Sequence, residues 1–299
     1  MILSGVLNVY KEKDMTSFDV IALLRRVAQQ KRIGHSGTLD PMARGVLPVC
    51  FGKATRISDY ISSQGKEYLA QMRFGIKTDT LDQEGRVLGE SEKTIFTLEE
   101  VDQAMEKFRG AILQEPPMFS AVKVNGKKLY DYARKGEEIQ RKARPVQIDL
   151  LEPLKIEGPY LTFHCQCSKG TYIRKLTEDL AAELGTYGTL WTLERTRVGP
   201  FFTDQAISIN RLKTMEREDL FSLLTPMEDA LPNFPSILLQ GEEAEAAFHG
   251  RSLAWQEDWK GEENFEGLYK IFTEKGFLGL GAKEKEFLKM KKVFADLER

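Results

Sequence analysis

The pattern of hydrophobic and polar positions predicts short strands mixed with amphipathic helices. Residues 5–11 form an apolar run of strand length, and residues 66–75 place an apolar side chain at every second position, as half-buried strands do. Residues 17–28 and 171–184 instead repeat apolar side chains with helical spacing. Because no regular strand–helix–strand rhythm emerges, we expect an α+β protein with a mixed, mainly antiparallel central sheet.

Other segments fit the same architecture. Ser17 is the expected cap of the first helix, and Asn125-Gly126 lies between two short apolar pieces, which is typical of a hairpin turn. The remaining predicted elements are a surface helix over 98–108 and strands over 46–51, 146–156, 161–167 and 189–198.

The chain is predicted to have two domains. Residues 1–230 supply the mixed sheet and its helices, with a polar, basic insertion around 115–145 that has few core residues. Three prolines between 226 and 240 indicate a linker. Residues 231–299 then read as a small β-rich domain, with strands expected around LYKIFT and FLGLG.

Composition changes this picture little, but the distribution of charge matters. The 299 residues are 41% hydrophobic and carry a net charge of −2, as in an ordinary globular protein. Residues 121–147, however, contain eight basic and three acidic side chains. Such a patch can attract a polyanion although the sum of charges is near zero. The start lacks the pattern of a signal peptide and there are only three cysteines, so we expect a cytoplasmic protein with reduced thiols.

A second basic run surrounds a single acid. Between residues 21 and 56, Asp40 is the only carboxylate, and it lies in the turn GHSGTLDP. An aspartate before proline is most often a simple turn residue. Opposite charge nearby nevertheless favours an ionised carboxylate, which can act as a nucleophile or a base, and cations suit a phosphate-rich substrate. The seven bases of the run are Arg25, Arg26, Lys31, Arg32, Arg44, Lys53 and Arg56.

Three other chemistries fit the sequence poorly. Residues 164–167 read HCQC, but they alternate along a predicted strand and no second pair of ligands has zinc spacing. Residues 34–37 resemble the start of the serine-hydrolase motif G-x-S-x-G, but the fifth position is Thr38 and the predicted helix precedes the motif where it should follow it. Gly52-Lys53 is followed by Ala54, which does not match a phosphate-binding loop. We therefore expect no metal and no cofactor.

Six segments, in order along the chain, resemble the TruB-type pseudouridine synthases, which isomerise a T-loop uridine at position fifty-five of tRNA. Together they cover about 200 residues, so the resemblance is far more specific than one short motif. The segments are GHSGTLDPMARGVLPVCFGKATR, the K-x-Y strand at 66–68, the T-D-T-x-D loop at 78–82, PPMFSAVKVNGKKLYDYAR, SKGTYIRKLTEDLAAELG and LERTRVGPF.

The resemblance implies roles for individual residues. Asp40 resembles the essential catalytic aspartate, Arg174 the arginine that pairs with it, and Tyr68 the tyrosine that packs on the target base. We expect Arg174 to hold Asp40 through two parallel hydrogen bonds. The positions implied to contact substrate or RNA are His35, Tyr172, Leu193, Lys66, Asp82, Lys123, Lys127 and Arg134.

The resemblance also implies the pseudouridine synthase fold with a PUA-like domain at the C-terminus, and tRNA as the partner. The target nucleotide has to leave its stack to be reached, so base flipping is expected. The isomerisation adds no atoms and is redox-neutral, in keeping with the absence of cofactor motifs. We expect a monomer that does not bind membranes. Two alternatives stay open: a non-catalytic tRNA-binding or RNA chaperone protein on the same fold, and a synthase acting on a different uridine.

Overall fold

The computed structural model describes residues 2–256, 259 and 267–294. The chain divides into two compact units, Met1–Leu224 and Thr225–Arg299, so the division falls a few residues before the predicted boundary at 230 and 231. In the described part of the chain, no helix has both the length and the apolar character needed to span a bilayer.

Eight α-helices are found within the described residues, and most are short. They are α1 (Ser17–Val27), α2 (Ser58–Ser63), α3 (Leu98–Met105), α4 (Leu129–Ala133), α5 (Ile173–Glu183), α6 (Ile209–Lys213), α7 (Arg217–Ser222) and α8 (Gly241–Phe248). The predicted surface helix over 98–108 is α3 followed by a 3₁₀ turn, and the predicted helix over 171–184 is α5.

Fourteen of the described strands belong to the first unit. They are β1 (Gly5–Lys11), β2 (Ile33–His35), β3 (Arg44–Phe51), β4 (Lys66–Phe74), β5 (Ile76–Thr78), β6 (Val87–Glu90), β7 (Gly110–Gln114), β8 (Lys123–Val124), β9 (Lys127–Lys128), β10 (Arg144–Glu157), β11 (Tyr160–Cys167), β12 (Gly188–Val198), β13 (Phe201–Phe202) and β14 (Ile207–Ser208). The strands predicted from alternation and apolar runs are confirmed.

A ten-stranded mixed sheet is the centre of the first unit. Its main order is β14-β1-β3-β12-β4-β11-β10-β7, with β2 paired to β3 and β13 paired to β12. Only the β1–β14 and β3–β12 pairs are parallel, so the predicted mainly antiparallel sheet is confirmed. The even-numbered side chains of β4, from Tyr68 to Phe74, lie in one core with the apolar faces of α1, α3 and α5.

Helix α1 begins one residue earlier than its predicted cap implies. Thr16, rather than Ser17, is the N-cap: its hydroxyl accepts a hydrogen bond from the Asp19 amide at 3.1 Å. The Asp19 carboxylate in turn accepts from the Thr16 amide at 2.8 Å, which completes a capping box. The buried hydroxyl of Ser17 is engaged elsewhere and accepts from the Leu39 amide at 2.9 Å. That bond ties α1 to the turn that carries Asp40.

The parallel contact between β3 and β12 depends on a glycine. Gly45 has a φ of +107° and lies opposite Arg195 in the register. A Cβ atom on Gly45 would lie 2.3 Å from the Arg195 carbonyl oxygen, which is closer than real Cβ contacts allow. Glycine at this position therefore lets β12 approach β3 closely enough to place the Arg195 side chain beneath the Asp40 turn.

The predicted hairpin within the basic insertion is confirmed. Asn125 and Gly126 have φ values of 51° and 79° and join β8 to β9. Two consecutive positive φ values define the type I′ turn that the Asn-Gly pair favours. The short helix α4 follows directly, and Leu129 is its buried residue.

The second unit is built on a five-stranded sheet in the order β15-β17-β18-β19-β16. Its described strands are β15 (Ser236–Leu238), β16 (Leu253–Ala254), β17 (Leu268–Thr273), β18 (Gly276–Glu284) and β19 (Phe287–Val293). The small β-rich region is as predicted, but β15 lies inside the segment predicted to be a linker and pairs with β17. A partner about thirty residues downstream leaves no local signal in the sequence. The likeness of this unit to a PUA domain stays a prediction.

Candidate active site

The turn that carries Asp40 runs between β2 and β3 and is held by its backbone. The Asp40 carbonyl accepts from the Ala43 amide at 3.1 Å, and the Pro41 carbonyl accepts from the Asp14 amide at 2.9 Å. The side chain is not covered by these contacts: 38% of the Asp40 side chain is exposed. A fixed backbone with an open carboxylate is what a reacting group requires.

Arg174 lies in the first turn of α5 and is only 5% exposed. Its Nη2 lies 3.0 Å from an Asp40 carboxylate oxygen and also donates to the Phe119 carbonyl at 2.9 Å. Its Nη1 donates to the Thr80 carbonyl at 2.9 Å and lies 3.7 Å from Asp82. The expected pairing with Asp40 is present, but the expected two parallel bonds are not, because the second nitrogen serves the 78–82 loop.

Asp82 completes this ionic network from a buried position. Its carboxylate accepts from the Thr80 hydroxyl at 2.6 Å and from the Glu84 amide at 3.2 Å. Burial raises the pKa of Asp82, and these hydrogen bonds together with Arg174 oppose that shift. The residue between, Leu81, has a φ of 64°, a strained conformation that lets Thr80 and Asp82 face the same guanidinium. The structure thus places Asp82 behind Arg174, so direct contact with RNA does not fit its geometry.

Tyr68 and Leu193 lie on one face of the sheet. Leu193 on β12 is paired with Ala70 on β4, two residues along from Tyr68, and both side chains are almost fully buried. The Tyr68 side chain interacts electrostatically with Arg195, which is its direct neighbour across the strands. Burial raises the pKa of Tyr68, so the ring carries a neutral phenol. Together the two side chains provide an aromatic and an aliphatic surface beside the Asp40 turn.

Tyr172 and His35 are half-buried and lie near the charged groups of the site: Arg174 and Asp40 act on Tyr172, and Arg195 acts on His35. Tyr172 caps α5 and is fixed by Gln114, whose side chain accepts from the Tyr172 amide at 2.7 Å and donates to its carbonyl at 3.1 Å. His35 accepts from the Gly37 amide at 3.3 Å. Burial, helped by the charge of Arg195, lowers the pKa of His35. The imidazole is therefore neutral at pH 7 and able to pack on a base.

Two buried cations at the site were not singled out from the sequence. Lys11, at the end of β1, donates to the carbonyls of Met15 at 2.7 Å, Glu12 at 2.8 Å and Pro41 at 3.4 Å. Arg195 donates to the carbonyls at the other end of the Asp40 turn. For Lys11 the only signal was its place at the end of the apolar run that forms β1.

The origin of the positive charge at Asp40 corrects the interpretation of the sequence. Its ion pair is with Arg174, and its charge also acts on Lys11 and Arg195. All three lie outside residues 21–56, whereas Arg44 from that run is paired with Glu194 at 2.9 Å. The cations that Asp40 pairs with or acts on therefore lie on other elements of the fold, and not in the basic run that surrounds it in sequence.

Lys66 does not lie on an accessible surface. It is buried, and its ammonium donates to the carbonyls of Ser62 at 2.7 Å and Gln64 at 3.2 Å. Burial lowers the pKa of Lys66 to about 8. This geometry fits a residue that closes the turn before β4, and it does not fit the predicted direct contact with RNA.

The insertion presents its cations to solvent. Lys123, Lys127 and Arg134 are exposed. Two cations lie close to the ring of Tyr130: the Lys128 ammonium is 5.1 Å and the Arg134 guanidinium 5.2 Å from the ring centroid. Aromatic rings combined with arginine and lysine are suited to bases and phosphates. The insertion also reaches the site, because the Phe119 carbonyl is bound to Arg174.

The cysteines of the HCQC segment are core residues, as expected. Cys165 and Cys167 are free and buried on one face of β11, and Cys50 is free and buried on β3. Within the described residues, no group of three or more histidine, cysteine, aspartate or glutamate side chains is placed to hold a metal ion.

The fold and the site together are those of a pseudouridine synthase. The family described as "TruB family pseudouridylate synthase (N terminal domain)" matches residues 25–173, and "tRNA pseudouridylate synthase B C-terminal domain" matches residues 174–232. The chain belongs to the TruB family of pseudouridine synthases and is an isomerase.

Curated relatives extend over nearly the whole chain. A tRNA pseudouridine synthase B of Clostridium tetani is 39% identical over 291 residues, covering 97% of this chain and 99% of its own length. One from Clostridium perfringens is 41% identical over 296 residues, covering 98% and 100%. The resemblance in the sequence is thereby confirmed.

Solved structures share the fold. A structure of an H/ACA ribonucleoprotein bound to a substrate RNA containing 2′-deoxyuridine matches with a TM-score of 0.73 at 25% identity, covering 99% of this chain and 86% of the other. A Cbf5-Nop10-Gar1 complex matches with the same TM-score at 28% identity, covering 98% and 85%. The expected pseudouridine synthase fold is confirmed.

Proposed function

We propose that this enzyme converts the T-loop uridine at position fifty-five of tRNA to pseudouridine, with Asp40 as the catalytic carboxylate. The observation that carries the proposal is the pair between Asp40 and Arg174 at 3.0 Å, in which the arginine is buried and the carboxylate is open. Relatives named tRNA pseudouridine synthase B support tRNA as the substrate. A tRNA-modifying role also supports a location in the cytoplasm.

The side chains fit the steps that the isomerisation requires. The bond between the sugar and N1 of uracil breaks, a bond from the same sugar carbon to C5 forms, the C5 proton leaves to water, and N1 takes up a proton from water. Both faces of the base must be reached, so the nucleotide must leave its stack. Tyr68 supplies an aromatic surface, and stacking of this kind contributes about 1–3 kcal/mol per base. Tyr172 and Leu193 extend that surface, and Arg174 fixes the direction of the Asp40 carboxylate.

A purely RNA-binding protein would not need these features. Burying charged groups is costly, and the site contains the buried cations Lys11, Arg174 and Arg195 close to a single open carboxylate. An RNA chaperone could hold tRNA with the exposed cations of the insertion alone. We therefore assign binding to the insertion and chemistry to the Asp40 turn, and we propose that both serve the same reaction.

The substrate assignment can be tested with a minimal RNA. A T-arm stem-loop carrying tritium at C5 of uridine fifty-five should release tritium to water when incubated with the enzyme, since C5 loses its hydrogen as the new bond forms. The matched control carries the label on a different uridine of the same loop and should release none. Release from the control RNA alone would show that the enzyme modifies another position, equal release from both would show that it does not select uridine fifty-five, and release from neither would contradict the T-arm assignment.

The cations of the insertion are expected to contribute most of the salt dependence of tRNA binding. Changing Lys123, Lys127 and Arg134 to glutamine removes three exposed charges, so the slope of log affinity against log salt should fall by about 2–3. The control changes Lys107 and Lys155 to glutamine, two exposed lysines paired with Glu183 and Glu157. Filter binding across a salt series measures both slopes. An unchanged slope in the triple variant would contradict the role of the insertion.

A further inference from the structure

The Arg195 guanidinium is almost fully enclosed, with 1% of the residue exposed. Its Nε donates to the Val46 carbonyl on β3 at 2.8 Å. Its Nη2 and Nη1 donate to the Gly37 and Thr38 carbonyls at 3.1 and 3.3 Å. Across the strands its direct neighbour is Tyr68 on β4, with which its charge interacts. One side chain therefore joins a strand, the turn leading to Asp40, and the tyrosine that faces the base.

The charge of Arg195 has no carboxylate in direct contact. Among the described residues, no acidic side chain lies within ion-pairing distance of it, and Asp40 is the acid whose charge acts on it. A buried cation with only neutral partners is unfavourable for stability. An apolar side chain of similar length would fill the same space without burying a charge, although it would leave the Val46, Gly37 and Thr38 carbonyls without this donor. The presence of arginine at this position is thus unexplained by packing.

We propose that Arg195 is a positioning residue for the isomerisation, holding the Asp40 turn and the Tyr68 ring in one fixed relative geometry. The inference rests on the proposed function. The planar guanidinium can bind carbonyls in two directions and a hydroxyl in a third, which an ammonium cannot do from the same position. The Gly37 and Thr38 carbonyls lie two to three residues before Asp40. Holding these carbonyls therefore fixes the path of the backbone that leads to the Asp40 side chain.

The backbone supports this arrangement. Arg195 can reach the turn only because β12 runs parallel to β3 at Gly45, where a Cβ atom would lie 2.3 Å from the Arg195 carbonyl oxygen. The end of the turn after Asp40 is held separately, by Lys11 at the Pro41 carbonyl. Asp40 is thus fixed from both sides, and the Arg195 side also includes Tyr68. A shift of about 1 Å in such an arrangement costs roughly 100-fold in rate.

The test compares Arg195→Lys and Arg195→Met with the same changes at Arg197. Arg197 lies on the same strand but is half-exposed and paired with Glu67 at 2.8 Å. The measurements are the single-turnover rate of tritium release from the T-arm at saturating enzyme, the Kd for tRNA, and the Tm. For Arg195→Lys we expect a fall in rate of about 100-fold with tRNA affinity close to that of the parent. Both Arg197 variants should keep the parental rate.

A merely structural residue would behave differently. It would lower the Tm and weaken tRNA binding, and the rate at saturating enzyme would recover at a temperature where the variant is folded. That recovery would overturn the proposal, as would a parental rate in Arg195→Lys. If Arg195→Met does not fold, Arg195→Lys alone decides. A parent enzyme that releases no tritium from the T-arm would instead count against the proposed function.

A double-mutant cycle with Tyr68→Phe tests the link to the tyrosine. Tyr68→Phe keeps the ring and removes the hydroxyl that interacts with Arg195. If one network positions both groups, Arg195→Lys should cost less in the Tyr68→Phe background than in the parent, because part of the network is already lost. An equal cost in both backgrounds would show that Arg195 does not act through Tyr68 and would overturn that part of the proposal.

Discussion

Replacing Asp40 by asparagine is expected to reduce tritium release from the T-arm by on the order of 10⁴-fold or more. Asparagine has nearly the same shape, so the turn held through Ala43 and Pro41 should persist. What is lost is the negative charge opposite Arg174 and the capacity of the carboxylate to act as a nucleophile or a base. Single-turnover kinetics with a labelled stem-loop measures the effect.

Measuring the tRNA affinity of Asp40→Asn separates a loss of chemistry from a loss of RNA recognition. The tRNA affinity of Asp40→Asn should stay close to that of the parent, because the exposed cations of the insertion are unchanged. The matched control is Asp102→Asn, which neutralises a half-exposed aspartate on α3 that is paired with Arg109. It should release tritium at the parental rate. An Asp40→Asn enzyme that works at that rate would show that Asp40 is not the catalytic carboxylate.

Loss of Arg174 is expected to affect both rate and stability. Arg174→Met should lower the single-turnover rate by about 10²–10³-fold, because Asp40 loses its oriented partner. It should also destabilise the fold by about 3–5 kcal/mol, because Asp82 is left buried without its cation. Urea unfolding gives the stability, and the labelled stem-loop gives the rate.

A second substitution separates these two effects. Adding Asp82→Asn to Arg174→Met removes the uncompensated buried charge, so part of the stability should return while the rate stays low. Lys175→Met serves as the control on the same helix, since the Lys175 ammonium is paired with Glu178 and Asp179. Recovery of rate together with stability would contradict the role given to Arg174, because Arg174 would then matter only for folding.

The sequence predicts the framework well because the framework is periodic. The alternation of Tyr68, Ala70 and Met72 identifies β4, and Asn125-Gly126 identifies the hairpin of β8 and β9. Each of these signals is local in the sequence. The same holds for Asp40, which lies in a distinctive turn. Arg174 was found through the resemblance to a family, since nothing local connects it to Asp40.

Buried cations are harder to predict from sequence. Lys11 and Arg195 look like ordinary charged residues beside apolar ones, and charged side chains are usually solvated. Their side chains donate to backbone carbonyls of β3 and of the turns around Asp40. Val46, for example, lies more than 140 residues from Arg195 along the chain. Conversely, the seven bases near Asp40 in sequence suggested a local field that the structure attributes to other residues. Long-range backbone contacts of this kind have no sequence signature.

The place of β12 in the sheet has a consequence for synthesis of the enzyme. Strands β1 and β3 form one part of the sheet, β4, β11, β10 and β7 form the other, and β12 is the strand between them. The Asp40 turn belongs to the first part and Tyr68 to the second. A growing chain on the ribosome therefore cannot assemble the site until residues 188–198 have emerged. Until then the nascent protein can expose its basic insertion to RNA, but it has no means of modifying it.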